Sequence, residues 1–218
     1  MKETMRKVTL TFDNGPTPEI TPYVLDCLAT YKVKTTFFVM GRKVAPGRSI
    51  VQRARDEGHY IGNHTFTHTT PLGDLDGDEA LREFEQTEEA LRWLRQPKRL
   101  FRPFGGAGRL GRHLLHPALI EKLQEGAYTC VLWNCVPGDW RDPDGWVERA
   151  LTGCRSREWT LVVLHDLPSG AMKHLDAFIG QLRNEGFELT QEYPPECVPI
   201  VDGEIRQPLD QYVAEVPF

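Results

Sequence analysis

Short apolar runs rich in β-branched and aromatic residues alternate with longer segments of helical period along most of the chain, and this limits the fold more than any other feature. Val8 to Phe12 is the first run. Thr35 to Met40, His59 to Gly62, Arg99 to Phe101, Tyr128 to Trp133, Leu161 to His165 and Phe187 to Thr190 follow. Between them, Pro18 to Tyr31, Ser49 to Glu57, Pro117 to Gln124, Trp146 to Thr152 and Met172 to Asn184 read as helices. The clearest helix spans Gly77 to Leu94, where Leu81, Phe84, Leu91 and Leu94 form one stripe against the acidic face of Glu79, Glu83, Glu85, Glu88 and Glu89. Strand-then-helix repetition predicts an α/β fold with parallel strands. A doubly wound open sheet and a closed or partly closed β/α barrel would give similar strings, but polar residues of interest fall mostly just after strands, which favours a barrel-like site at one end.

The 218 residues suit one catalytic domain, expected over residues 1–192. Tyr193 to Phe218 is interrupted by Pro194, Pro195, Pro199, Pro208 and Pro217, and reads as an extension that wraps over the domain or over a homo-oligomer neighbour. A net charge of -5 excludes generic attraction to nucleic acid or anionic lipid. Arg92, Arg95, Lys98, Arg99 and Arg102 do cluster, but acidic residues precede them, so a solvated helix face is the preferred reading. Met1 to Lys7 is charged and carries no apolar stretch, which points to a cytoplasmic protein without a membrane anchor. The cysteines, Cys27, Cys130, Cys135, Cys154 and Cys197, are odd in number and lack a CxxC pair, so reduced packing thiols are expected. Cys135 is set aside because it lies in a motif.

Two segments carry chemistry. Thr11-Phe12-Asp13-Asn14-Gly15-Pro16 ends the first strand, and its Gly-Pro turn presents Asp13 and Asn14 at the mouth of the sheet. Asn63-His64-Thr65-Phe66-Thr67-His68 holds two imidazoles four residues apart, which would share a face if the backbone makes one helical turn. Paired histidines suit zinc or a similar divalent ion. Taken singly, the first segment also reads as an ordinary turn and the second as a helix cap.

Together, in this order, TFDNGP and NHTFTH resemble the opening motifs of the polysaccharide deacetylases, the NodB-homology family. The resemblance implies a seven-stranded, TIM-like distorted barrel and metal-assisted hydrolysis of an amide, as in N-deacetylation of an N-acetylated sugar. It implies Asp13 as general base, and His64 and His68 as metal ligands. Asn14 stands where the family has a third, carboxylate ligand, so weaker metal binding is expected. Phe101-Arg102-Pro103-Phe104-Gly105 is similar to the family's Arg-Pro-Pro-Tyr-Gly groove wall, shortened by one residue and with Phe for Tyr. Arg102 would orient Asp13, and the backbone N–H of Phe104 would face the oxyanion. Trp133 to Trp140 resembles a Trp-x-x-Asp-x-x-Asp-Trp segment in which Val136 replaces the first Asp, leaving Asp139 and Trp140. Leu161 to His165 resembles the strand whose histidine is the general acid, with Asp139 as its support. A hydrolase of small non-sugar amides or ureides that needs little metal, and a carbohydrate-binding relative without turnover, are the competing readings.

Overall fold

The computed structural model describes residues 5–215, so Met1–Thr4, part of the charged N-terminal segment, and Pro217 in the tail lie outside it. Seven strands run parallel: β1 (Lys7–Asp13), β2 (Thr36–Val39), β3 (Tyr60–Asn63), β4 (Leu100–Phe101), β5 (Thr129–Cys130), β6 (Trp159–His165) and β7 (Glu188–Thr190). Helices α1 (Ile20–Thr30), α2 (Gly41–Val44), α3 (Arg48–Asp56), α4 (Gly77–Leu91), α5 (Pro117–Glu125), α6 (Trp146–Arg155) and α7 (Leu175–Asn184) lie between them. The fold is the expected distorted β/α barrel.

Two features produce the distortion. One edge of β1 is shared, with β7 pairing residues 7–9 and β2 pairing residues 11–13. The ring then closes through a single bridge, Cys135 to Val162, in the segment that leaves β5. Cys135 is therefore a buried seam residue. Burial also pushes its thiol up to about 11, so it carries no reactive thiolate at neutral pH. All five cysteines are buried and free.

Alternation along the strands sorts the core. Val8, Leu10 and Phe12 of β1, with Val162 and Leu164 of β6, pack outward against Leu28 of α1 and Phe178 of α7. Thr9, Thr11 and Asp13 take the opposite face, as do Leu161 and Val163, which join an inner cluster with Phe38 and Phe101. The polar end of that inner face becomes the site.

The tail differs from a simple wrap. Ile200–Val201 (β8) and Glu204–Ile205 (β9) form an antiparallel hairpin that pairs with β5, adding two strands to the parallel set. Asp202 and Gly203 at its turn have φ of 49° and 82°, the left-handed pair that a two-residue hairpin turn requires. Cys197, Ile200 and Tyr212 enter the inner cluster, so this segment shares the barrel's core.

Helix α4 is also shorter than its pattern. Asp76 precedes it as N-cap, its carboxylate accepting from the Glu79 N–H at 2.8 Å, and it ends at Leu91. Its buried stripe is Ala80, Phe84, Thr87 and Leu91, while Leu81 is half-buried. The acidic face is divided: Glu85 and Glu89 are exposed, but Glu88 and Glu83 are half-buried and reach, respectively, Asn63 at the end of β3 and the loop that follows it. The basic cluster is no helix face either, since Arg92 to Arg99 follow the helix end and Arg102 is fully buried.

Candidate active site at the strand ends

At the C-terminal ends of the strands lies a cavity of about 270 Å³ lined by Asp13, Asn14, His64, His68, Phe104, Trp140 and His165. Arg102 and Asp139 stand behind it, each fully buried. All nine residues singled out from the sequence thus meet in one place. The volume is near the lower end of ligand pockets, roughly 300–1,000 Å³, so it suits the reacting end of a substrate better than an extended chain.

Strand register explains the first pairing. Asp13 closes β1 and His165 closes β6, and the two are Cα partners across the parallel ladder. Behind Asp13, Arg102 Nη1 donates to Oδ1 at 2.8 Å and to Thr11 Oγ1 at 2.7 Å. Its Nε and Nη2 donate to the Val131 and Leu132 carbonyls, and its guanidinium lies 4.1 Å from the centre of the Phe38 ring. Only the planar, multiply donating guanidinium satisfies that many buried acceptors at once. The other Asp13 oxygen lies 3.5 Å from His64 Nε2.

His165 is held twice by Asp139, which accepts from its backbone N–H at 2.8 Å and pairs with Nδ1 at 2.9 Å. With Nδ1 engaged, Nε2 is the nitrogen left for the cavity. Burial opposes charging this imidazole, but the hydrogen bond and charge of Asp139, aided by Asp13 and Asp166, outweigh it and raise its pKa. Trp140 packs edge-on against the ring, with centroids 4.5 Å apart.

The histidine pair arises differently from the expected helical turn. Residues 64–68 form a loop in which Thr65 and His68 have φ of 62° and 57°, and this brings the two rings to 4.7 Å between centroids. The Phe104 ring covers His68 at 4.0 Å. Burial lowers the pKa of both, His68 to about 2, where His64 and His165 add repulsion, while Asp13 partly offsets the effect at His64. Both are neutral near pH 7. His64 Nδ1 is bonded to the Arg102 carbonyl at 2.8 Å and is therefore the protonated nitrogen, which leaves the Nε2 lone pair free.

Asn14 completes this flank. Its φ of 74° lies in the left-handed region, which Asn and Asp tolerate better than other side chains. Its Oδ1 is buried without a hydrogen-bond partner. Two neutral imidazoles and an orphaned amide oxygen form a donor set that fits a divalent cation. Among the described residues, no group of three His, Cys, Asp or Glu side chains forms a metal site, because the third position here is an amide.

Several neighbours complete the surroundings, and of these Lys43 and Asp166 carried no motif in the sequence. Lys43 Nζ donates to the Asn14 carbonyl at 2.8 Å from α2, a helix too short to leave a period. Asp166 lies under Gly15, and burial pushes its carboxyl up to about 7. Position is its only hint, directly after His165. Trp133 Nε1 donates to the Gly108 carbonyl at 2.9 Å and its ring packs on Gly105, fixing the loop that carries Phe104. Val136 packs on Gly108, and Val163 and Leu167 also line the cavity. No helix among the described residues is long and apolar enough to cross a membrane.

Comparison with known proteins identifies the family and the fold. A family model described as polysaccharide deacetylase matches residues 1–113. A peptidoglycan-N-acetylglucosamine deacetylase of Bacillus cereus is 34% identical over 165 residues, covering 73% of this chain and 72% of that protein. A chitooligosaccharide deacetylase of Rhizobium leguminosarum bv. trifolii is 32% identical over 200 residues, covering 84% and 89%. Among solved structures, a peptidoglycan N-acetylglucosamine deacetylase in complex with a naphthalenyl-N-oxidanyl-benzamide aligns at a TM-score of 0.73 and 30% identity, covering 90% of this chain and 89% of that one.

Proposed function

This chain belongs to the polysaccharide deacetylase family, and from that premise we propose that it hydrolyses the acetamido group of an N-acetylated sugar, releasing acetate and a free amine. One observation carries the reading: a carboxylate and an imidazole, Asp13 and His165, are cross-strand partners that open into the same cavity, each against a buried partner of opposite charge.

Amide hydrolysis needs an activated water, a stabilised oxyanion and a proton for the departing nitrogen. Asn14, His64 and His68 would hold a divalent ion, zinc being the one best matched to paired imidazoles; when bound it lowers the pKa of water and polarises the acetyl carbonyl. Asp13, oriented by Arg102, takes the proton of the attacking water. The backbone N–H of Phe104 donates to the oxygen on which negative charge develops. His165, with Nδ1 held by Asp139, delivers a proton from Nε2 to the leaving nitrogen. Trp140 limits the motion of that ring.

Acetate release from chito-oligosaccharides and from peptidoglycan fragments, measured with added zinc, cobalt or nickel, tests the assignment. Release of acetate from at least one of these substrates is expected; none under all three metals would sink the substrate class. The amide at position 14 favours one alternative, hydrolysis of a small non-sugar amide with little metal, and activity indifferent to chelators would select it. Five free, buried thiols support a reducing compartment such as the cytoplasm.

A further inference from the structure

The loop that carries His64 and His68 is held from two sides. From α2, the Gly41 N–H donates to the Thr65 carbonyl at 2.9 Å and the Arg42 N–H to the Phe66 carbonyl at 3.2 Å. That approach needs a glycine, because a Cβ at Gly41 would lie 2.5 Å from the Phe66 ring and from Thr87 Oγ1. The loop's own N–H groups turn the other way, toward α4. Glu83 Oε2 accepts from the Phe66 N–H at 2.9 Å and the Thr67 N–H at 2.8 Å, and Oε1 accepts from Thr67 Oγ1 at 2.7 Å.

One carboxylate therefore takes three hydrogen bonds from the two residues that directly precede His68. His68 and Thr65 both adopt left-handed backbone that non-glycine residues seldom hold without support. Asn63 anchors the other end of the loop, accepting from the Thr65 N–H at 3.0 Å and donating to Glu88 Oε1 at 2.8 Å. Glu85, two residues along the same helix, pairs instead with Lys122 at 2.9 Å on the outer surface.

We propose that Glu83 is a positioning residue for the metal site: by clamping Phe66 and Thr67 it fixes the direction of His68 relative to His64, and so sets the affinity of the pair for a divalent cation. This rests on the reading of His64 and His68 as metal ligands. Glu83 touches neither imidazole, so its effect is transmitted wholly through the loop backbone. Partners that orient metal-ligating histidines from outside typically contribute about 10- to 100-fold in metal affinity.

The test measures zinc affinity of the full chain by competition with a chromophoric chelator, together with the visible spectrum of the cobalt-loaded protein and the thermal midpoint of the metal-free protein. Glu83→Met keeps the length of the stem and removes both acceptors; about 10- to 100-fold weaker zinc binding and a weakened, shifted cobalt spectrum are expected, with a near-normal midpoint. Glu83→Gln should restore affinity to within a few-fold, because its amide oxygen can accept both N–H groups while its NH2 donates to Thr67 Oγ1. Glu85→Gln is the control on the outer face and should bind as the parent does. His68→Ala separates the two levels of inference. If it loses zinc affinity while Glu83→Met binds normally, the positioning role is overturned and the ligand assignment stands. If His68→Ala binds zinc as tightly as the parent, the ligand assignment itself is wrong and the role of Glu83 goes with it. A Glu83→Met chain that does not fold would also overturn the proposal, since Glu83 would then be a bolt of the whole structure.

Discussion

Asp13 and His165 each face a buried opposite charge, Arg102 at 2.8 Å and Asp139 at 2.9 Å, and both stand at the ends of paired strands. Across the same cavity, His64, His68 and Asn14 bring no net charge, and the latter two lie on loops with left-handed backbone. The contrast teaches a division of labour: the groups proposed to exchange protons are fixed by charge in a rigid ladder, while neutral donors suited to a cation are fixed by hydrogen bonds to their loop. A cation would supply the charge that the second flank lacks. It would also be bound more weakly than by a set containing a carboxylate, but with less of its Lewis acidity neutralised.

The largest effect is expected on the charged flank. Asp13→Asn should lower kcat by about 10²- to 10⁴-fold, the usual contribution of a general base, with zinc affinity changed far less; a variant as active as the parent would end the idea that this flank moves protons. Next, Asn14→Asp puts a charge on the neutral flank. Zinc binding should tighten by roughly 10- to 100-fold, using the scale of lost metal-site partners as a guide, and equal affinity in a chelator competition would mean that position 14 does not meet the metal. Asp139→Asn should act more gently, through pH. In the proposed role of acid His165 must be protonated, and Asp139 is the main group raising its pKa. The alkaline fall of kcat should therefore move to lower pH in the variant, and an unmoved profile would assign the limb to another group.

The smallest effect concerns stability. Burial raises the Asp166 pKa from its ordinary 3.8 to about 7. Between those values the folded chain binds this proton more tightly than the unfolded chain does, so stability falls as pH rises through that window. Asp166→Asn should remove this slope, leaving a thermal midpoint a few degrees higher relative to the parent at pH 8 than at pH 4. A constant difference between the two proteins would show that Asp166 does not titrate there.

Seven parallel strands were legible because each apolar run kept its period and ended at a turn. The motifs were legible where chemistry sits next to a strand end, as at Asp13 and His165. Bare spacing misled at His64 and His68, since four residues suggest a helical turn and the rings instead meet across a loop. Glu83 and Glu88 were hidden for a related reason: a charge on a helix face resembles any solvated charge until the loop it faces is known. Strands β4 and β5 are only two residues long because the chain bends into site loops directly after them. The Asp202-Gly203 hairpin did carry a local signal, but neighbouring prolines gave the tail the look of irregular chain.

The ladder between Lys7–Asp13 and Trp159–His165 also governs when the molecule can come into being. During synthesis the first strand emerges long before its main neighbour exists. At about 5–20 residues per second, the chain waits on the order of ten to thirty seconds for that partner. Until then Val8, Leu10 and Phe12 have no outer layer from the second half to cover them, and Asp13 has no imidazole of His165 beside it. The nascent first half thus holds only one side of the cavity, and the site is assembled only with the late closure of contacts some 150 positions apart in sequence.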